Sequence, residues 1–352
     1  MKLFTVGPVE MYPSTLKIEG KQQPYFRTEE FSKVMKNIEK NFLASVFAPK
    51  NALFVALTCS GTGAMEAAVV NTVNKDDKVL VINGGSFGTR FKELCKYHGF
   101  EYDEYLIPYG EAFDKEEFEK FSQKGFTVLL VNACETGTAQ KYDLKYLGDF
   151  CKKNDMIFIV DAVSAYLADP IFMEECNIDI LFTASQKALA LAPGISLVAI
   201  SERAYSERIV NNHLSYYFDF NYYIDNQKRG QTPFTPAVGT LLALDERLQT
   251  IIDNSIEVEW KKHRNRAEHF RRRLKELPLN IPSYPMSNCC TCILFDDNAS
   301  EIYTKFKEKY DIYLTPSGGE LKNKQLRVGH LGNLELCDYD LLIELLKKEL
   351  YL

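Results

Sequence analysis

Lys187 has the surroundings that most clearly indicate chemistry. It lies in ILFTASQKALALAPGISLVAIS, residues 180–201, and is the only charged residue between Asp179 and Glu202. Apolar surroundings disfavour an ammonium ion and favour the neutral amine, which attacks carbonyl groups and forms Schiff bases. The alternative is a lysine whose stem follows apolar surface while its head reaches water. The choice depends on which other groups the chain brings close to this amine.

Asp161 is a second isolated charge. It follows IFIV in IFIVDAVSAYLA and is the only charged residue between Asp155 and Asp169. A carboxylate at the tip of a buried strand is costly without a partner, so we expect a cation, a metal ion or several N–H groups beside it. The alternative is an aspartate that caps the following turn.

The turn Ser60-Gly61-Thr62-Gly63 has the composition of an anion site. It follows a predicted strand and leads directly into AMEAAVVNTV, a predicted helix. Glycines let the backbone approach a ligand, and the free N–H groups and dipole of a helix start favour negative charge, so a phosphate fits here. A strand-to-helix turn capped by a hydroxyl is equally consistent. The turn matches neither the Walker loop nor G-x-G-x-x-G.

Three further residues are candidates for ligand binding. Phe87 lies among glycines in NGGSFGTR, where a flat ring can stack on it, although a core phenylalanine gives the same pattern. Thr136, in CETGT, follows a central strand in a turn rich in threonine and glycine. Arg327 is alone in the apolar strand of LRVGHLG, and a carboxylate from a ligand or a structural salt bridge would stabilise it.

The chain that positions these residues alternates strands with amphipathic helices. The predicted strands are 52–58, 78–82, 101–107, 127–133, 156–160, 180–183, 195–200, 291–295 and 325–328. The predicted helices are one that follows its cap Thr28 and those at 89–97, 115–123, 144–153, 205–212, 237–277, 300–310 and 339–350. The alternation predicts an α/β fold, in which a mostly parallel seven-stranded sheet lies between helices and ligands collect at the carboxyl ends of the strands.

The pattern also predicts a division of the chain. Residues 1–27 look irregular, and we assign 1–15 to an N-terminal arm. Residues 16–245 form a predicted large domain that contains the parallel sheet, and residues 246–352 form a small C-terminal α/β domain.

Composition narrows the function classes. The chain has 352 residues, 46% of them hydrophobic, and a formal charge of −6, so it has a sizeable core and no basic footprint for nucleic acid. No apolar run is long enough to span a membrane. Nine cysteines and no signal peptide lead us to expect reduced thiols in a cytoplasmic protein.

Cys289, Cys290 and Cys292 include a C-x-x-C pair. Neither a second pair nor histidines follow at metal-ligand spacing. We therefore predict that these cysteines belong to a strand, residues 289–295, rather than to a metal or redox site, and we expect no metal ion.

Taken together, these residues resemble the fold-type I pyridoxal phosphate enzymes. The stretches SGTGAME, NGGSFGTR, CETGT, VDAVSA, SQKALALAPG and LRVGHLG are similar to the class V aminotransferases, which include alanine:glyoxylate, serine:glyoxylate and aminoethylphosphonate:pyruvate transaminases. The resemblance covers essentially the whole chain. It implies a homodimer with shared active sites that transfers an amino group from a small amino compound to a 2-oxo acid such as pyruvate or glyoxylate.

The resemblance also implies individual roles. Lys187 would form the Schiff base with pyridoxal 5'-phosphate and then move the substrate proton. Asp161 would bind the pyridine nitrogen, Phe87 would stack on the ring, and Thr136 would face the ring hydroxyl. Arg327 would bind the substrate α-carboxylate.

The implied cofactor-binding set includes a phosphate site. The phosphate site consists of Ser60, Gly61, Thr62, Gly63 and Gln186, with Thr232 of the partner subunit. Arg27, in PYFRTEEF, is a candidate for a second anion site that would take a phosphonate or carboxylate on the substrate side chain. The alternative for Arg27 is a surface arginine at a helix start.

A cysteine desulfurase or another lyase is the alternative within the same fold. The short CETGT loop is similar to that group. Desulfurases, however, stack a histidine on the ring and place a histidine directly before the lysine, where this chain has Phe87 and Gln186. No isolated cysteine on a serine-rich loop is evident, so the sequence favours transamination.

Overall fold

A mostly parallel sheet of seven strands forms the centre of the protein, as the computed structural model shows for residues 1–350. All strands of these residues, including those outside the central sheet, are in chain order β1 Lys2–Leu3, β2 Leu53–Leu57, β3 Lys78–Asn83, β4 Glu101–Leu106, β5 Val128–Asn132, β6 Cys134–Glu135, β7 Gln140–Lys141, β8 Ile157–Asp161, β9 Ile180–Ala184, β10 Ser196–Ile200, β11 Cys290–Leu294, β12 Ile312–Tyr313, β13 Thr315–Pro316 and β14 Gln325–Gly329. The central order is β2-β10-β9-β8-β5-β3-β4. Only β10 runs antiparallel to its neighbours, which confirms the predicted sheet.

Helices cover both faces of this sheet. They are α1 Pro13–Glu19, α2 Glu29–Ser45, α3 Gly61–Thr72, α4 Ser86–His98, α5 Lys115–Glu119, α6 Leu144–Lys153, α7 Glu202–Ala204 with a π-helical turn Tyr205–Ile209, α8 Phe220–Gln227, α9 Val238–Asn254, α10 Ile256–Leu274, α11 Ala299–Tyr310 and α12 Leu336–Glu349. Successive side chains of a strand point to opposite faces, so Ile157 and Ile159 pack in one core while Phe158 and Val160 pack in the other. Strands that are buried on both faces appear in the sequence as continuous apolar runs.

A smaller α/β region contains a third hydrophobic core. Its antiparallel sheet has the order β11-β14-β13, and α10 packs against α12 beside it. Residues 2–4 belong to this region, because β1 pairs with β12 and Phe4 is buried against Tyr339. The prediction that residues 1–27 are irregular is therefore wrong for β1 and α1, whose order comes from contacts with distant segments.

The predicted helix 237–277 is two helices. The break lies at Ser255, whose φ of 71° is left-handed and cannot continue an α-helix. Helix α9 packs against α1 and α2 beside the large sheet, whereas α10 packs against α12. The boundary at 245/246 stays a prediction, and the last residues of the predicted small domain, Tyr351 and Leu352, lie outside the described residues.

Across residues 1–350, no helix has the length and apolar character needed to cross a membrane. Within the same residues, no group of three or more His, Cys, Asp or Glu side chains is arranged to hold a metal ion. Cys290 and Cys292 lie in β11, which confirms the strand prediction for this stretch.

Candidate active site

One cavity of about 220 Å³ lies at the carboxyl ends of the parallel strands. The residues predicted from the sequence that line it are Ser60, Gly61, Thr62, Phe87, Asp161, Gln186 and Lys187. The fold brings these groups together because parallel strands end at the same edge of a sheet. Gly7, Pro8 and Arg90 also line the cavity.

Lys187 follows β9, and its side chain is partly buried where it lines the cavity. Nζ donates a hydrogen bond to the carbonyl oxygen of Val6 at 2.8 Å. Burial lowers the pKa of Lys187, and the charge of Arg327 adds to this effect, while the Asp161 charge opposes it. Gly7 lies so close that a Cβ there would stand 2.6 Å from Cδ of Lys187. The amine therefore faces the cavity as a poorly solvated nucleophile, not as a surface cation.

Asp161 is the last residue of β8 and is held by two hydrogen bonds. Its Oδ2 accepts from Nδ2 of Asn132 at 2.7 Å, and its Oδ1 accepts from the backbone N–H of Val163 at 2.8 Å. Burial raises the pKa of Asp161 to about 6, although these bonds and the charges of Lys187 and Arg90 act in the opposite direction. Each oxygen can accept more than one hydrogen bond, so the carboxylate has capacity for a ligand N–H.

The turn before α3 is both a helix cap and an exposed helix start. The Ser60 hydroxyl accepts from the N–H of Gly63 at 3.4 Å, as the capping alternative requires. The remaining N–H groups of the first helical turn have no partner within the helix, so they can bind an anion. Gly63 itself packs on Cys59, where a Cβ would lie 2.8 Å from the Cβ of that cysteine.

Arg90 is a site residue that the sequence analysis missed. Its Nη1 donates to Oγ1 of Thr62 at 2.8 Å, and its guanidinium carbon lies 4.8 Å from the centre of the Phe87 ring. It therefore connects the aromatic side chain to the anion-binding turn and adds a positive charge there. The available signal was its position three residues after Phe87, on the same face of α4.

The amide of Gln186 has unused hydrogen-bonding capacity. Its Oε1 is buried without a hydrogen-bond partner among the residues that the structure describes. Such an atom costs free energy unless a ligand or water binds it. Rotating the amide by half a turn exchanges Oε1 and Nε2, and a donor at this place would bind a phosphate oxygen.

Thr136 and Arg327 contact each other, and neither lines the cavity that contains Lys187. The Thr136 hydroxyl donates to Oγ of Ser164 at 2.7 Å, and its carbonyl accepts from Nη1 of Arg327 at 2.9 Å. Nη2 of Arg327 donates to the carbonyl of Pro316 at 2.9 Å. Arg327 lines a different cavity, of about 360 Å³, together with Tyr109. No salt bridge of Arg327 occurs within residues 1–350, so the proposed structural ion pair does not form there.

Arg27 and Thr232 are joined to each other away from the Lys187 cavity. Nη1 of Arg27 donates to the carbonyl of Thr232 at 2.6 Å and to Oε1 of Gln231 at 3.1 Å. The Thr232 hydroxyl donates to the carbonyl of Phe234 at 2.7 Å. Neither residue lines the cavity within one chain, and the predicted roles of both stay predictions.

Comparison with known proteins finds matches over most of the chain. The family described as "Aminotransferase class-V" matches residues 14–318. An uncharacterized aminotransferase of Methanocaldococcus jannaschii is 29% identical over an alignment that covers 94% of this chain and 87% of that protein. A rabbit (Oryctolagus cuniculus) protein named alanine–glyoxylate aminotransferase is also 29% identical, over 94% of this chain and 87% of its own length.

The structural comparison agrees over nearly the whole chain. A crystal structure of an alanine–glyoxylate aminotransferase from Nostoc sp. superposes with a TM-score of 0.93 at 25% identity. The superposition covers 99% of this chain and 94% of the Nostoc protein. The two chains therefore share the same arrangement of sheets and helices from end to end.

Proposed function

The chain belongs to the class V aminotransferase family, and from this premise we propose which amino group it transfers and how. The donor is a small amino compound of the alanine, serine or aminoethylphosphonate type, and the acceptor is a 2-oxo acid such as pyruvate or glyoxylate. The observation that carries the proposal is the convergence of Lys187 and Asp161 on one cavity beside the Ser60 turn. The names of the rabbit and Nostoc relatives support alanine and glyoxylate as first candidates.

The cavity residues fit pyridoxal 5'-phosphate, the cofactor of this family. The helix start at Ser60, with the positive charge of Arg90 beside it, suits the phosphate. Phe87 offers an aromatic face to the ring, and the unpartnered amide of Gln186 supplies a further polar contact. Lys187 would hold the cofactor through Nζ, and Asp161 would hold a proton at the pyridine nitrogen.

The bound cofactor supplies an electron-accepting ring, which stabilises the negative charge left when the substrate Cα loses its proton. Lys187 moves that proton, because burial lowers its pKa and keeps more of the amine neutral. The Val6 carbonyl orients one N–H of Nζ and leaves the lone pair available. Asn132 and Val163 fix both carboxylate oxygens of Asp161, so its orientation is set before a ligand binds.

Arg327 would bind the substrate α-carboxylate. Arg327 keeps an unpartnered, buried Nε after its two carbonyl contacts, so it retains a donor for an α-carboxylate. Thr136 would face the ring hydroxyl, and Arg27, which donates hydrogen bonds to the carbonyls of Thr232 and Pro233, would contact an anionic side chain of the substrate.

We also propose a cytoplasmic homodimer in which Thr232 of the partner subunit reaches the phosphate. Exposed aromatic side chains support an interface, since Tyr216 is 73% and Tyr222 45% exposed. Tyr217, in the same segment, donates a hydrogen bond to the carbonyl of Thr58 at 3.3 Å. Thr58 lies two residues before the turn Ser60-Gly61-Thr62-Gly63. Light scattering on the holoprotein would report the mass of a dimer, whereas a monomer that retains full activity would exclude shared sites.

The activity is tested with a panel of amino donors against pyruvate, glyoxylate and 2-oxoglutarate. We expect the holoprotein to transfer the amino group of alanine, serine or aminoethylphosphonate, and to show a cofactor absorbance band that the donor bleaches. Lys187→Ala should lower kcat by at least about 10²-fold, because it removes the group that moves the proton. Transfer from none of these donors, or full turnover by Lys187→Ala, would contradict the proposal.

The desulfurase alternative predicts sulfide release from cysteine. None of the side chains that line the Lys187 cavity is a thiol. Cys59 lies next to the turn, and burial raises the pKa of its thiol to about 11, so it is a weak nucleophile near neutral pH. Including cysteine in the donor panel and assaying sulfide separates the two reactions.

A further inference from the structure

Three cysteines that are distant in the chain have their sulfur atoms in contact. Sγ of Cys134 lies 3.6 Å from Sγ of Cys289, and Sγ of Cys289 lies 3.6 Å from Sγ of Cys290. All three are buried free thiols. We call Cys134, Cys289 and Cys290 the thiol cluster. Cys289 and Cys290 are close to Cys292 in the sequence, whereas in the fold it is Cys134 that contacts Cys289.

The thiol cluster connects two parts of the fold. Cys134 begins β6, in the loop that follows the central strand β5, and Cys289 immediately precedes β11 of the small sheet. A disulfide has sulfur atoms about 2.05 Å apart, so Cys134 and Cys289 must approach by about 1.5 Å to form one. Cys289 and Cys290 are adjacent in the chain, and a disulfide between neighbours is geometrically constrained.

The surroundings of Cys289 favour its reactive form. Hydrogen bonds with Cys134 and then Cys290 lower the pKa of Cys289, although burial acts in the opposite direction, whereas the pKa values of Cys134 and Cys290 are raised, so Cys289 is the member of the cluster that most readily loses its proton. A thiolate is the form that attacks peroxides and disulfides. Cys151, by contrast, is an equally buried thiol outside the cluster, and burial raises its pKa.

A cavity of about 600 Å³ opens next to the thiol cluster. Its lining includes Ala133 and Asn288, the chain neighbours of Cys134 and Cys289. Asp169, at the wall of the same cavity, accepts hydrogen bonds from Ser287 and from the side chain of Asn288. Neither Cys134 nor Cys289 lines this cavity, so a small oxidant such as hydrogen peroxide reaches their chain neighbours there and must pass between packed side chains to reach the sulfur atoms.

We propose that Cys134 and Cys289 are a redox modification site, at which a peroxide converts the two thiols into a reversible intramolecular disulfide. The sulfur of Cys289 attacks one peroxide oxygen, the O–O bond breaks, and one water leaves after proton transfer. The sulfenic acid that remains on Cys289 is then attacked by the sulfur of Cys134, so an S–S bond forms, the S–O bond breaks, and a second water leaves. The two sulfur atoms lose two electrons, which the peroxide gains.

The disulfide would act on the active site through the loop that contains Cys134. The next residue, Glu135, accepts hydrogen bonds from the backbone N–H groups of Phe87 and Gly88. The carbonyl of Thr136 holds Arg327. Drawing Cys134 toward Cys289 shifts these contacts, and because the proposed function places the substrate carboxylate on Arg327, the shift weakens binding of the amino donor.

The disulfide is tested on the wild-type holoprotein by peptide mass mapping without reductant, after treatment with a small excess of hydrogen peroxide. We expect a cross-linked pair of peptides that contains Cys134 and Cys289, two hydrogen masses lighter than the separate peptides. Dithiothreitol should reverse it. A Cys289–Cys290 link, oxidation of single thiols only, or unmodified thiols would each overturn the proposal. This measurement does not depend on the proposed activity.

The functional effect is tested by comparing Cys134→Ser with Cys151→Ser as the matched buried-thiol control. Peroxide should raise the KM for the amino donor about tenfold or more in the wild type and in Cys151→Ser. Cys134→Ser should keep its KM under the same treatment, and dithiothreitol should restore the other two. An equal loss in Cys134→Ser would overturn the regulatory part, and if that variant does not fold, mapping of the wild type still decides the disulfide.

Discussion

Asp161 and Arg327 are each the only charged residue of an apolar strand, but the fold uses them differently. Asp161 ends β8 in the parallel sheet, and its carboxylate lines the cavity that contains Lys187. Arg327 lies in the middle of β14 in the antiparallel sheet, and its guanidinium binds the carbonyls of Thr136 and Pro316. All strands of a parallel sheet end at one edge, so position at a strand end predicts a site there, whereas an antiparallel sheet has no such edge.

The two residues also differ in how well the protein alone stabilises them. Asp161 has two hydrogen bonds and still has a pKa raised to about 6 by burial, so its charged form is costly without a ligand. Arg327 has two charge-assisted bonds to carbonyl oxygens and one unused Nε. We infer that Asp161 is positioned to bind a cofactor, while Arg327 combines ligand binding with structural support.

The largest effect that tests this comparison is expected from Asp161→Asn. Activity should fall by about 10²-fold or more, because the carboxylate no longer holds the proton of the pyridine nitrogen. The free energy of unfolding of the cofactor-free protein should instead be higher in the variant than in the wild type once the pH is high enough to ionise Asp161. The folded pKa is about 6 against an ordinary value of 3.8, so folding favours the protonated acid, and the wild type loses up to roughly 3 kcal/mol as pH rises through this window.

Urea unfolding of cofactor-free wild type and Asp161→Asn at pH 4 and pH 8, which lie on either side of this window, measures this difference. The variant should lose less stability between the two pH values than the wild type. Asp179→Asn is the control. Asp179 is buried just before β9, at the amino ends of the parallel strands and so at the opposite end from the cavity. Burial also raises its pKa. Activity equal to wild type is expected for Asp179→Asn, and an activity loss as large as that of Asp161→Asn would remove the distinction.

Arg327→Lys is expected to have an intermediate effect and sharpens the comparison. Lysine cannot reproduce the fork that reaches two carbonyls and a ligand carboxylate, so the KM for the amino acid donor should rise about 10- to 100-fold. Arg271→Lys is the matched control, because Arg271 also donates hydrogen bonds to two backbone carbonyls, those of Ser287 and Cys290, in the same region. Both variants should be less stable, but only Arg327→Lys should change KM. A change in stability without a change in KM would make Arg327 structural.

The smallest effects are expected at two helix caps. Ser60→Ala and Thr28→Ala each remove a side-chain acceptor at a helix start, Ser60 from Gly63 and Thr28 from Phe31. Each should lower the free energy of unfolding by about 1 kcal/mol. Only Ser60→Ala should weaken binding of pyridoxal 5'-phosphate, measured by fluorescence titration. Equal cofactor affinity in the two variants would show that the Ser60 hydroxyl is a cap alone.

Local patterns predicted most of the large sheet correctly. Apolar runs marked its strands, and the isolated charges Lys187 and Asp161 marked two strand ends that do line one cavity. The cap at Thr28 and the helix Leu144–Lys153 were also predicted from local signals. These features depend on residues within a few positions of one another, which is the range over which hydrogen bonding and hydrophobic periodicity act.

Contacts across long sequence separations were not predictable in this way. The Val6 carbonyl meets the Lys187 amine 181 positions away, and Cys134 meets Cys289 155 positions away. Arg90 resembles any helix arginine until the fold places it against Thr62. The separate cavity of Arg327 likewise follows from how β14 packs beside the loop of Thr136.

The sequence by itself determined the parallel sheet, its order of strands and helices along the chain, and the chemical types that collect at the strand ends. Only the tertiary structure decided which of those groups meet, how the carbonyl of Val6 holds the reactive amine, and that Cys134 and Cys289 are in contact. The physical reason is that periodicity and capping are local, whereas side-chain contacts depend on how elements pack after the chain has folded.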